Sequence, residues 1–115
     1  RARLDLAPAN RDLAAAEILL LQEAGGEMAL AKALKGLTER YNYVLVDCPP
    51  NLGKLTISAL TAAHEVIIPV ECSFLAVKGL GQLLDTIDLV KERLNPELPL
   101  AGILLTMYDP RTLHV

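Results

Sequence analysis

The chain has 115 residues, 52% of them apolar, and a net charge of −3. That length suits one modest domain, and the apolar content excludes a disordered chain. The acidic balance, with Arg and Lys scattered along the chain, argues against nucleic-acid contact by this chain alone, because phosphate binding needs a basic face. No apolar run approaches the ~20 residues that a membrane helix requires. The first residues, RARLDLAPANRD, lack the apolar core of a secretory signal. A cytoplasmic protein without a membrane partner is the expectation. Three Tyr and one Phe are the whole aromatic complement, so the core must be aliphatic, as in parallel sheets. Cys48 and Cys72 make no disulfide framework and read as small buried thiols of a reducing compartment. The chain opens without Met and inside what reads as an element, which suggests a piece of a longer protein, with residues 1–115 forming a single partial domain.

Residues 3–7, RLDLA, read as a short strand closed by Pro8. Asn10 or Asp12 can cap the helix that follows, since DLAAAEILLLQEA consists of strong helix formers. Gly25-Gly26 breaks it. A second helix is expected over 27–40, with Met28, Ala31, Leu34, Leu37 and Tyr41 on one stripe. Residues 42–47, NYVLVD, read as a strand, with Tyr41 and Tyr43 as packing residues. A short helix over 55–63 and a strand over 65–70 come next. Pro69 in that strand removes one ladder donor. The longest helix is expected over 77–94: Val77, Leu80, Leu84, Ile87, Val90 and Leu94 recur at helical spacing, and Asp85, Asp88, Lys91 and Glu92 face outward. Gly79 and Gly81 at its start suggest close packing on the sheet. Asn95-Pro96 ends it, and LAGILLTM, 100–107, is the last strand. Strands that are apolar on both faces and alternate with helices define an α/β fold: three layers, with a mostly parallel sheet and helices on both faces.

In such sheets ligands bind beyond the carboxyl ends of the strands. Asp47 stands at one, where an ionised carboxylate needs a partner. Mg²⁺ meets that need, taking one or two carboxylates and filling its other positions with phosphate oxygens and water. Cys48 and Pro49 both precede proline, which drives them toward extended backbone. The next free amides belong to Asn51, Leu52 and Gly53, ahead of a helix, and amides at a helix N-terminus attract anions. Gly53 also adopts backbone angles closed to other residues. The competing explanation is an Asp that merely caps a turn. Lys54 reads as solvent-facing rather than phosphate-facing, His64 and His114 as surface or turn residues, and Asp109 and Arg111 as parts of a turn begun by Asp-Pro.

These residues carry a resemblance. LDLAPANRDLAAAEILL, VLVDCPPNLG and the stretch from LTISALTAAHEV to LLTMYDPRT resemble the ParA/Soj partitioning ATPases of the MinD-like deviant Walker group, over nearly the whole chain. The resemblance implies a P-loop NTPase-like fold and an ATP- and Mg-dependent homodimer. It further implies binding to DNA without sequence preference, stimulation by a ParB-like partner, and association with the nucleoid. Asp47 matches the Walker B aspartate, catalytic and near Mg²⁺ through water. Pro49 and Gly53 match the switch II loop that senses the γ-phosphate. Thr106, Met107 and Tyr108 follow the strand where relatives contact adenine, and Asp109 and Arg111 resemble a segment near the nucleotide edge.

The departures are large. No GxxxxGK[ST] occurs in these residues, and no switch I aspartate is found. The P-loop amides, lysine and Ser/Thr carry much of the charge stabilisation in phosphoryl transfer. The chain on its own is therefore expected to bind ATP very weakly and not to hydrolyse it. In relatives the P-loop strand lies beside the Walker B strand, so strand 42–47 should be left with an open apolar edge or a gap, prone to pairing between copies. The rival is a non-enzymatic truncated relic or interaction module. A phospho-receiver domain would need an acidic pair after its first strand and Lys-Pro after its last, and neither is present.

Overall fold

The computed structural model describes residues 3–49, 52–107, 109 and 111. Pro50, Asn51, Tyr108 and His114, all assigned roles above, lie outside the described residues. The elements in chain order are α1 (Asp12–Gln22), a 3-10 turn (Gly26–Met28), α2 (Ala29–Leu34), a second 3-10 turn (Thr38–Arg40), α3 (Lys54–Ala62), β1 (Val66–Glu71), α4 (Phe74–Arg93) and β2 (Leu100–Thr106).

The well-packed part is the second half. β1 and β2 pair in parallel, Ile68 opposite Ile103 and Val70 opposite Leu105, with an irregularity between Val66 and Ile67. Period-2 alternation turns Ile68 and Val70 inward, while Ile67 stays largely exposed. α4 crosses over between the two strands. Its stripe meets them as its spacing demands: Ile87 and Val90 are buried, and Leu80, Leu84 and Leu94 pack against them. The helix begins earlier than expected, because Ser73 caps it by accepting a bond from the Ala76 amide at 3.2 Å. Leu60 of α3 and Leu98 complete the core, and Leu98 is fully buried. Each such aliphatic residue contributes about 1.5–3 kcal/mol by leaving water.

Asn95 has a larger role than ending a helix. Its Nδ2 donates to the carbonyls of Leu60, Thr61 and Ala63 at 3.1, 3.1 and 2.9 Å. Those are orphan acceptors at the end of α3. The loop after α4 thus closes α3 and fixes it to the β1–α4–β2 body.

The first half is looser, and several expectations are corrected there. Residues 3–7 and 42–47 join no ladder among the described residues, and both are exposed. A strand exists only where it pairs with another strand, and no described segment forms a ladder with these. Tyr43 and Leu45 are 86% and 91% exposed. Tyr43 is therefore not a packing residue. Tyr41 instead donates its hydroxyl to Asp5 Oδ2 at 2.6 Å, which holds its phenol above the usual tyrosine range, through the hydrogen bond first and the carboxylate charge second.

The helix expected over 27–40 is divided. Lys35 turns extended at φ −60° and ψ 126°, ending α2, and Gly36 follows at φ +86° in a turn closed by the Leu37 amide on the Leu34 carbonyl. Gly26 is buried where α1 turns back, and a Cβ there would collide with the Leu20 carbonyl oxygen. Gly79 and Gly81 do not serve close packing, since a Cβ at either would meet open space. Cys48 is exposed rather than buried, and Cys72 is half-buried. The radius of gyration, 15.9 Å, exceeds the ~13 Å of a compact domain of this length, as the exposed first half requires.

Candidate functional site

Asp47 ends an aliphatic segment, Val44-Leu45-Val46, that runs without regular hydrogen bonding. Its carboxylate is exposed and makes no hydrogen bond or ion pair with a described residue. Among the described residues it meets no basic partner, and it is not buried. Cys48 follows, its Sγ 3.7 Å from the Val46 carbonyl. Partial desolvation of that sulfur, and then the Asp47 charge beside it, push the thiol above the usual cysteine range. This thiol is a poor nucleophile at neutral pH. Pro49 is exposed in the same loop.

Gly53 is the N-cap of α3, with φ −70° and ψ 178°. Any residue adopts that extended conformation, so the expected backbone freedom of Gly53 is not in use here. Its carbonyl accepts the Ile57 amide at 3.1 Å and opens the helix. Thr56 lies in the first turn with Oγ1 buried and lacking a partner.

Lys54 departs from expectation. It turns to neither solvent nor phosphate, but pairs with Glu27 Oε2 at 2.9 Å, both side chains about three-quarters buried. The Lys54 hydrogen bond, first among several causes, holds the Glu27 carboxyl below the usual range. Next to it, Glu17 Oε1 accepts the Leu55 amide at 3.3 Å. Sequence reasoning passed over Glu17, and gave Glu27 only a helix-dipole role in the first turn of the helix expected over 27–40. For Glu17 the signal was available: it is the one charged residue in the run LAAAEILLL, 13–21, and sits where a carboxylate suits the positive end of another helix.

At the far end of β2, Met107 takes a positive φ of 54°, uncommon for a residue with a side chain, and is 80% exposed. Thr106, just before it, is half-buried. Beyond it Asp109 accepts three bonds from Arg111: the amide at 2.9 Å, and Nε and Nη2 each at 3.1 Å. The Arg111 side chain, then its amide, keep the Asp109 carboxyl below the usual range. This is a self-satisfied turn, as the bland reading expects. His64 is exposed in a bend, also as expected.

A lone unpaired carboxylate suits Mg²⁺, which needs few protein ligands when phosphate and water supply the rest. Asp47 fits one such position. No group of three His, Cys, Asp or Glu side chains suited to a metal exists among the described residues.

A parallel β-α-β unit with a carboxylate-ended segment feeding a helix is the architecture of P-loop NTPases. Solved structures agree. The crystal structure of cobyrinic acid a,c-diamide synthase from Mycobacterium smegmatis matches with a TM-score of 0.88 at 53% identity, over 93% of this chain and 44% of that one. The same protein with bound ATP analog and magnesium matches at 0.87.

The family follows from the sequence comparison. The AAA domain family matches residues 1–100, and the chain belongs to it. Its similarity is to the ParA/Soj branch. The chain is 50% identical over 109 residues to the sporulation initiation inhibitor protein Soj of Bacillus subtilis, covering 95% of this chain and 43% of Soj. It is 50% identical over 108 residues to the chromosome partitioning protein ParA of Myxococcus xanthus, covering 94% and 38%. An uncharacterized protein of Mycobacterium tuberculosis is 53% identical over 111 residues, 96% of this chain and 35% of that protein. The chain therefore spans less than half the length of these relatives. No described helix is long and apolar enough to cross a membrane.

Proposed function

We propose that residues 1–115 are one partial domain, the central part of a ParA-like, Mg-dependent partitioning ATPase, and that they carry its Walker B and switch II segment. Asp47 holds Mg²⁺ through water and faces the attacking water. Pro49 and Gly53 bound the loop that senses the γ-phosphate. When bound, the metal supplies charge neutralisation at the phosphates. The chain's own part is to hold a carboxylate on the segment that leads, seven residues on, into α3. The single observation that carries this reading is the exposed Asp47, without a partner among the described residues and seven residues ahead of α3, in a chain half identical to ParA and Soj. The strained Met107 beyond β2 supports a nucleotide-edge role for 106–108, since strain gathers at binding sites.

The whole protein acts as an ATP-dependent homodimer on nonspecific DNA with a ParB-like partner, in the cytoplasm and on the nucleoid. This chain by itself holds only half a nucleotide site and is inactive. The exposed segment 43–46 favours self-association of separate chains along that edge. The rival, a non-enzymatic interaction module, keeps the fold without the chemistry. The M. smegmatis likeness favours a second reading, a diamide synthase activity of the whole protein; conversion of cobyrinic acid to its a,c-diamide, against stimulation by DNA, separates the two.

A titration of the chain with MgATP, followed by amide NMR, tests the site. Millimolar nucleotide is expected to shift resonances in 47–55 and 106–107, without reaching micromolar affinity. Shifts elsewhere only, or none, overturn the site. Micromolar affinity overturns the half-site.

A further inference from the structure

We propose that α3 is a lever that couples the loop 47–53 to the helical hairpin of α1 and α2. Its far end is a fixed pivot, because Asn95 binds the carbonyls of Leu60, Thr61 and Ala63 and Leu60 lies in the core. Its near end is gripped by three polar tethers, all from the first half. Glu17 Oε1 accepts the Leu55 amide at 3.3 Å. Glu27 Oε2 receives Lys54 Nζ at 2.9 Å. Ser58 Oγ, almost wholly buried, accepts the Leu30 amide at 3.1 Å and so satisfies an orphan donor at the start of α2. Each tether ends within the first five residues of α3, directly after the loop.

No residue of α1 or α2 is fully buried, although Leu20, Leu30, Ala31 and Leu34 are half-buried, so these polar bonds act beside a partial apolar contact. A nine-residue helix is about 13 Å long. A tilt about the Asn95 end therefore moves the tethered end most. The loop sits on that end, and the hairpin must follow it. The moving face carries the exposed Ile18, Leu19 and Leu21 of α1, so the state of the loop is displayed as the position of an apolar helix face. The lever depends on the proposed reading only for the idea that the loop is the part a ligand moves.

The experiment contains no nucleotide, so its failure is separate from failure of the nucleotide site. Hydrogen–deuterium exchange is followed in the chain after Pro49→Gly, which frees the loop. It is repeated with Pro49→Gly added to Glu17→Ala/Lys54→Met/Ser58→Ala, which removes all three tethers. In the first background the loop change is expected to speed exchange over 12–34 by about threefold or more. In the second background, with the tethers cut, the same change leaves 12–34 as it was. Exchange in β1, α4 and β2 reports whether each variant is folded. If the triple background unfolds, Glu17→Ala/Lys54→Met makes the comparison, a smaller response over 12–34 being expected and an unchanged one overturning the lever, and Lys54→Arg should retain the coupling. An equal response of 12–34 in both backgrounds, or a response confined to 47–53 in the first, overturns the lever.

Discussion

Residues 43–46, YVLV, and 67–70, IIPV, are short runs of nearly the same aliphatic character, and they end in opposite circumstances. Ile68 and Val70 are 4% and 5% exposed, held between a paired strand and a helix. Tyr43 and Leu45 are almost fully exposed, with no ladder on either side among the described residues. Apolarity creates a demand for burial, but it does not supply the neighbour. For 67–70 the neighbour and the covering helix come within the next forty residues, from β2 and α4. For 43–46 no described strand serves, and only Val44 and Val46 are partly covered. The same contrast holds between helices. α4 buries a full stripe, while α1, equally aliphatic, leaves Ile18, Leu19 and Leu21 in solvent.

The largest effect that sharpens this contrast is expected at Leu98. Leu98→Ala removes a fully buried side chain from the one packed core, which costs about 2–5 kcal/mol. Leu21→Ala, on the exposed face of α1, is expected to change stability by no more than ~0.5 kcal/mol. Urea unfolding followed by circular dichroism measures both. Equal midpoints for the two variants would show that the halves are not packed differently.

The parts legible in the sequence were those whose partners lie nearby along the chain. α3, β1, α4 and β2 all fall within three residues of the expected spans, because their periodicity and breakers are local and the packing that rewards them is close. Segment 42–47 was misread as a strand because composition reports only the wish to be covered. The break in the second helix was written at Gly36 and outweighed by the apolar stripe around it. At the site, Asp47 and its loop were visible as a motif. The grip on α3 was not, since its tethers join residues 27 to 38 apart in sequence, and only a fold brings these together.

A second way to break the comparison acts on the loose half. Gly26 has a Cβ position already filled by the Leu20 carbonyl, so Gly26→Ala forces α1 and the turn apart at a cost of about 1–3 kcal/mol. If the halves are distinct, faster amide exchange is confined to 12–34 and the strands keep their protection. Loss of protection in β1 and β2 as well would mean that the hairpin supports the sheet.

The reverse sign is expected at Gly79 and Gly81. Both lie in a helix with open space where a Cβ would go, so each change to Ala should stabilise by about 0.5–1 kcal/mol. The gain should appear as a higher unfolding midpoint for the β1–α4–β2 body. A loss would mean that these positions meet something outside the described residues.

The smallest effect is the pH dependence of the tether between the halves. Glu27 has a carboxyl pKa below its unfolded value, and Lys54 is the first cause. A depressed carboxyl contributes stability that is full above the unfolded value and is lost as pH falls through the folded one. Acidification through the lower carboxylate range should therefore loosen the hairpin from α3 before the core unfolds. Asp109, lowered by Arg111, titrates with the same sign, but its pair is local to the turn and joins no two elements. The two are separable: in Lys54→Met the acid-dependent rise in exchange over 12–34 should disappear, while the environment of Arg111 continues to change with pH. An acid-dependent rise that survives Lys54→Met would assign the loosening to another group and remove Glu27 from the grip on α3.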